Sequence, residues 1–208
     1  MNTPAEFAGF RQLTASDAEA FSALRRAVTA ENPVQMGLSM EEELGRPIES
    51  FRAQLSAPSP SAVFGTFVDA RLVATAAVSP AGAFRSSAHK MVMWGVFTHP
   101  EFRRRGLCRA LVSAALDHAF HAGVRRVNLL VYLPNDAAVA LYRSLGFVEF
   151  GTEPEAIQLD GACFDGLHMS LTAAPMATQS RKTVIPHERE PSGSARVGRG
   201  ARGARRGG

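Results

Sequence analysis

An α/β (α+β) fold, with a sheet flanked by helices, is predicted by three observations along the chain. Residues Val96 to Leu111, VFTHPEFRRRGLCRAL, pass from an apolar run through a proline and a basic turn into a helix-like stretch. Val127, Leu129, Val131 and Leu133 alternate with Asn128, Leu130 and Tyr132, a strand apolar on both faces and therefore central in its sheet. Upstream, Ala62 to Val68 and Arg71 to Ser79 have the β-rich composition of a hairpin turning at Asp69-Ala70.

The remaining elements follow in chain order. Phe7 to Leu13 reads as a short first strand, after which Thr14-Ala15-Ser16-Asp17 supplies a capping signal for a helix through about Ala30. Ser39 to Leu55 reads as a second helical region, interrupted at Gly45-Arg46-Pro47, and Pro58 to Ser61 breaks the chain. Lys90 to Thr98 continues the sheet after the hairpin. From Gly106 to Ala122, Leu107, Leu111, Ala114 and His118 form one stripe, with Val112, Leu116 and Phe120 beside it, so the helix carries a broad apolar face until Gly123 ends it.

The segment Arg103, Arg104, Arg105, Gly106, Leu107, Cys108, Arg109 has the chemistry of a diphosphate cradle. A helix start leaves N–H groups without intrahelical partners and carries partial positive charge, so a basic turn there can wrap an anion. Gly106 lets the backbone approach a phosphate, and the small Cys108 leaves room for it. About thirty residues on, Asn135, Ala138, Leu141, Tyr142, Gly146 and Phe147 spell N-x-x-A-x-x-L-Y-x-x-x-G-F. Together the two segments resemble the GNAT superfamily of acyl-CoA-dependent N-acyltransferases, over roughly residues 63 to 172. One departure is visible: the family's R-x-x-G-x-[Gly/Ala] ends here in Cys108.

That resemblance implies a central mixed, mostly antiparallel, splayed sheet flanked by helices. It also implies acetyl-CoA as co-substrate, without a metal, and transfer of the acetyl group to an amine by direct attack on the thioester. Main-chain groups of Val96, Phe97 and Thr98 would hydrogen-bond the pantetheine arm in the splay, the 103–109 cradle would hold the diphosphate, and Asn135 would belong to the same site. Tyr142 sits where the family places a tyrosine facing the thiolate. A backbone N–H near Val96 is the candidate oxyanion donor, and the early helices would wall the acceptor pocket.

The general base is not evident. Many relatives carry a Glu on the strand before the cradle, whereas here Met91 to Val96 read MVMWGV, with no carboxylate. Glu153, Glu155 and His168 in the C-terminal strands, and His99 before the loop, are the remaining candidates, and Trp94 is a candidate for the acceptor wall or the core. The absent strand carboxylate also leaves room for an alternative, a catalytically silent acyl-CoA-binding sensor or interaction module.

At 208 residues and 46% apolar, the chain can bury one core of ordinary size. Residues 1–177 are expected to form a single domain and 178–208 a disordered Arg/Gly-rich tail. From Arg181 to Gly208 there are eight Arg or Lys against two Glu, a net of +6, so the rest of a chain of charge +4 carries −2. Any contact with nucleic acid is therefore expected to be weak and confined to the tail. Cys108 and Cys163 have neither disulfide-framework nor zinc-ligand spacing, which fits a reducing, cytoplasmic setting. The opening MNTPAEFAGF lacks the features of a secretion signal, and no run approaches the roughly 20 apolar residues of a membrane span. The partner expected is a small-molecule or peptide amine, and a homodimer is compatible with the sequence.

Overall fold

The structure is a computed structural model and describes residues 9–173; the tail expected over 178–208 lies outside the described residues. Strand β1 (Phe10–Gln12) leads into a 3-10 turn (Ala15–Asp17) and four helices, α1 (Ala18–Glu31), α2 (Pro33–Met36), α3 (Met40–Gly45) and α4 (Ile48–Leu55). Strands β2 (Ala62–Val68), β3 (Arg71–Pro80) and β4 (Lys90–Thr98) follow. Next come α5 (Leu107–His121), β5 (Arg126–Tyr132), α6 (Asp136–Ser144), β6 (Val148–Leu159) and β7 (Ala162–Thr172).

Local chemistry sets the helix boundaries. Asp17 Oδ2 accepts from the Thr14 N–H at 2.8 Å, and Arg11 grips the same carboxylate at 2.8 and 2.7 Å. The Arg11 hydrogen bonds dominate over partial burial and hold the Asp17 carboxyl at about 2, well below its ordinary 3.8. Ser39 and Glu42 form a reciprocal capping box at the start of α3. Pro47, extended and at the N-cap of α4, separates α3 from α4 at the expected interruption. Two points bear on the sequence reading. Of the strand expected over Phe7 to Leu13, Phe7 and Ala8 lie outside the described residues and the strand covers Phe10–Gln12, and the four residues of α2, following Asn32 and opening on Pro33, are too few to show a helical period.

The seven strands run in the order β1-β2-β3-β4-β5-β7-β6, antiparallel throughout except for β4 and β5. That parallel pair is held by three positions, Lys90 opposite Arg126, Met91 opposite Val127 and Val92 opposite Asn128. Beyond Val92 the two strands part, and their facing edges lose each other as hydrogen-bond partners. This is the splay that places the site.

Two cores sandwich the sheet. On one face Met91, Met93, Val127, Leu129 and Val131 pack with Leu111, Val112 and Leu116 of α5 and Val139 and Tyr142 of α6. On the other, Phe21, Leu24 and Val28 of α1 join Phe51 and Leu55 of α4, Leu72, Ala77 and Phe97, with Trp94 at the margin. Each large apolar side chain buried here contributes about 1.5–3 kcal/mol. Glu43 of α3 is fully buried and is held by Arg25 at 2.9 and 2.7 Å, with Arg46 at 3.6 Å. The Arg25 guanidinium also lies 5.8 Å from the Phe97 ring, so one cluster ties α1, α3 and β4 together. β5 is central, as its sequence predicts, yet its two faces differ: Val127, Leu129 and Val131 are buried, whereas Asn128, Leu130 and Tyr132 are half-buried.

Candidate active site

The site begins with an irregularity in β4. Thr75 pairs with Phe97 and Ala77 with Trp94, so Gly95 and Val96 together stand opposite Ala76. In this bulge the left-handed position is taken by Gly95, with φ +60° and its carbonyl accepting from Thr75 Oγ1 at 2.8 Å. The bulge lies past the last β4–β5 ladder pair. Val96 therefore has no register partner on either neighbouring strand.

After β4 the chain makes a 3-10 turn over Pro100–Phe102 and then places Arg104 (φ +62°) and Gly106 (φ +78°) in the left-handed region before α5 starts. Alternating backbone of this kind turns successive N–H groups toward a concavity, and the unpaired amides of the first α5 turn face the same way. A Cβ built on Gly106 would meet no protein atom within 4 Å. The backbone is thus bare where an anion would approach.

These elements line a cleft of about 540 Å³. Val96, Phe97 and Thr98 form its β4 wall, and Arg103, Arg104, Gly106, Leu107, Cys108 and Arg109 its cradle end. Asn135, Ala137, Ala138, Leu141 and Tyr142 supply the α6 wall. Of the residues named in the sequence for acetyl-CoA binding and the thiolate, all but Arg105 line this one cleft, whereas Trp94, His99, Glu153, Glu155 and His168 do not. The Arg105 side chain turns away, donating to the Glu101 carbonyl at 3.1 Å with its guanidinium 5.1 Å from the Phe102 ring. A run of three arginines cannot present every side chain to one side of a turn, and the α5 amides do not need it to. Five lining residues were not named in the sequence: Val28, Asn32 and Gln35 at the junction of α1 and α2, Phe102, and Ala137 of α6. The first three come from parts of the chain with no motif of their own.

Several side chains in the cleft already have partners. Arg103 donates to both Glu31 oxygens and from Nε to the Thr98 carbonyl at 3.3 Å. Arg109 donates to Ser144 Oγ at 2.6 Å, which ties α5 to α6. Asn135 Oδ1 accepts from the Ala138 N–H at 3.2 Å, so it caps α6 while lining the cleft. Arg104 has no side-chain hydrogen bond among the described residues.

Thr98 Oγ1 and Cys108 Sγ are 3.0 Å apart. Burial pushes the Cys108 thiol up, with Thr98 and Arg103 opposing it in part, so the thiol stays protonated at neutral pH. Tyr142 is buried, and that burial, with Cys108 nearby, raises its phenol well above 10. Such a phenol keeps its proton at neutral pH and does not act as a base. No Asp, Glu or His is among the residues lining the cleft. Elsewhere, no group of three or more His, Cys, Asp or Glu residues with the geometry of a metal site occurs among the described residues. No helix among them is long and apolar enough to cross a membrane.

Residues 23–147 match the family model for the acetyltransferase (GNAT) family. Over 57 residues, 27% of this chain and 38% of the relative, the sequence is 40% identical to the ribosomal protein bS18-alanine N-acetyltransferase of Escherichia coli (strain K12). Over 54 residues, 26% of this chain and 16% of the relative, it is 48% identical to the mycothiol acetyltransferase of Nocardiopsis dassonvillei. The chain therefore aligns with well under half the length of these curated relatives. Among solved structures, an acetyltransferase from Salmonella typhimurium with its cofactor acetyl-CoA superimposes with a TM-score of 0.67 at 18% identity, covering 82% of this chain and 96% of that one. At that identity the likeness is one of fold.

Proposed function

The chain belongs to the acetyltransferase (GNAT) family, and from that premise we propose that its cleft binds acetyl-CoA and passes the acetyl group to an amine by direct attack on the thioester. The observation that carries this reading is the parting of β4 from β5 at Val92, with the bare α5 N-terminus at one end of the gap and the Tyr142 side chain in its wall.

The residues divide the work by position. The first-turn amides of α5, with Arg104 and Arg109 beside them, offer donors and positive charge to a diphosphate. The exposed edge of β4 at Val96 to Thr98 offers main-chain groups to an extended arm carrying amides, which fills the splay as an added strand would. Acetyl-CoA supplies both groups, together with the activated acetyl. At the inner end, the Val96 N–H, freed by the bulge, donates to the oxyanion that develops on the carbonyl. Tyr142 donates its phenolic hydrogen bond to the departing sulfur, and burial keeps that hydrogen in place at neutral pH. Holding nucleophile and carbonyl together contributes through orientation.

The test pairs calorimetry with a transfer assay. Acetyl-CoA should bind the full chain, and coenzyme A should be released on addition of an amine, with an alanine-initiated peptide and small primary amines as the first acceptors to try. Absence of acetyl-CoA binding in the folded protein would overturn the reading. Binding without transfer to any amine would favour a sensor.

A further inference from the structure

We propose that His168, oriented by Glu153, is the general base that takes the proton from the acceptor amine, entering from the sheet face opposite α5 and α6; this rests on the transfer reading above. A thioester is attacked by a neutral amine, so a proton must leave the nitrogen. Nothing lining the cleft can take it: the lining has no carboxylate or imidazole, and burial keeps both Tyr142 and Cys108 protonated.

Strand register brings His168 to the opening from the other side. Val92 and Asn128 form the last β4–β5 pair, so Trp94 and Leu130, each two residues further, flank the start of the splay. Leu130 lies directly opposite His168 in the β5–β7 ladder, and residues so paired share a face with Cβ atoms about 5 Å apart. That face is the one away from α5, because Val127, Leu129 and Val131 point into the α5 core and Asn128, Leu130 and Tyr132 alternate with them. Along it Asn128, Leu130 and Tyr132 are half-buried, so this face of β5 is partly open to solvent.

The geometry of His168 suits a base. Its Nε2 lies 2.8 Å from Glu153 Oε2, and since a carboxylate only accepts, Nε2 carries the hydrogen and Nδ1 the lone pair. Glu153 is the one charged group within ion-pairing distance among the described residues; the other close neighbours are Phe150, with ring centroids 5.6 Å apart, and Leu130. In the step, the acceptor ammonium gives a proton to His168 Nδ1, directly or through one water, and from there to solvent. The freed nitrogen bonds to the thioester carbon, the C–S bond breaks as the oxyanion collapses, and the sulfur leaves as a thiolate hydrogen-bonded by Tyr142 and takes up the nitrogen's remaining excess proton through solvent. Glu153 stabilises the imidazolium that forms.

The test compares His168→Gln and Glu153→Gln with the wild type over pH, with an alanine-initiated peptide and benzylamine as basic acceptors and hydroxylamine, largely unprotonated at neutral pH, as the control. His168→Gln should lower kcat/KM for the basic amines about 10²-fold and remove the rising limb of the pH profile. It should leave acetyl-CoA affinity unchanged and affect hydroxylamine much less. Glu153→Gln should give a smaller loss, since the imidazole is left in place without the carboxylate that orients it. An active wild type whose profile is unchanged in His168→Gln would overturn the dyad and leave the transfer reading standing. A wild type that binds acetyl-CoA and acetylates none of the three would overturn both.

Discussion

The guanidinium of Arg103 is engaged by the carboxylate of Glu31 through two hydrogen bonds, 3.1 and 2.8 Å long, which tie the end of α1 to the loop that leads into α5. Both partners are about 40% exposed, and exposed pairs contribute about 0.2–1 kcal/mol. A bound diphosphate must compete with Glu31 for Arg103. Glu31→Gln should therefore tighten acetyl-CoA binding about two- to five-fold. Titration calorimetry at low salt is the check, and weaker binding in the variant would mean that Glu31 aims Arg103 at the ligand.

Gly106→Val places a branched side chain at φ +78°, in space that no protein atom occupies. The strain costs on the order of 1–3 kcal/mol, and the branch fills the approach to the α5 amides. Acetyl-CoA affinity should fall at least about ten-fold, whereas Gly106→Ala should share the strain and lose less affinity. Equal affinity in Gly106→Val and wild type, with both folded, would remove the cradle from the diphosphate.

Tyr142→Phe keeps the ring, which packs edge-on against Phe147 at 5.5 Å, and removes the hydroxyl. Turnover should fall about 10²-fold or less, since a thiolate is a fair leaving group, with acetyl-CoA affinity within about two-fold of wild type. An unchanged kcat would assign Tyr142 to packing.

Asp17 links stability to acid. Its folded value of about 2 lies below the ordinary 3.8, so the stabilisation is present above 3.8 and is lost as pH falls toward 2. Asp17→Asn should cost on the order of 1–2 kcal/mol at pH 7, and the gap to wild type should close between about pH 4 and pH 2. Urea melts at pH 7, about 4 and about 1.5, the last below the folded value, give the answer; a gap that persists at the lowest pH would place the effect in helix capping instead of charge.

Most of this fold was legible because its signals are local. Alternation in β5, the wide apolar face of α5 and the Gly45-Arg46-Pro47 interruption each follow from a few adjacent residues. The turn into α5 and the α6 wall of the cleft were legible for the same reason, since a helix start and a capping Asn are short patterns. Pairings between distant residues were not legible. Nothing near Arg103 announces Glu31, nothing in the sequence pairs Arg25 with Glu43, and Val28, Asn32 and Gln35 line the cleft only because α1 ends beside it. Arg105 fails in the opposite sense, since its motif named it and the turn directs it elsewhere.

The three-residue seam between β4 and β5 has a mechanical consequence. Val96 belongs to the strand before the seam and Tyr142 to the helix after it, so the proposed oxyanion donor and the proposed thiolate donor are carried by opposite sides of a joint stitched at one end only. The gap between them is then set by how the two sides pack on α5, on residues such as Leu111 and Val112 that touch no ligand. Core substitutions there act as shims: they would retune catalysis by opening or closing the joint by tenths of an ångström, with every residue of the cleft left in place.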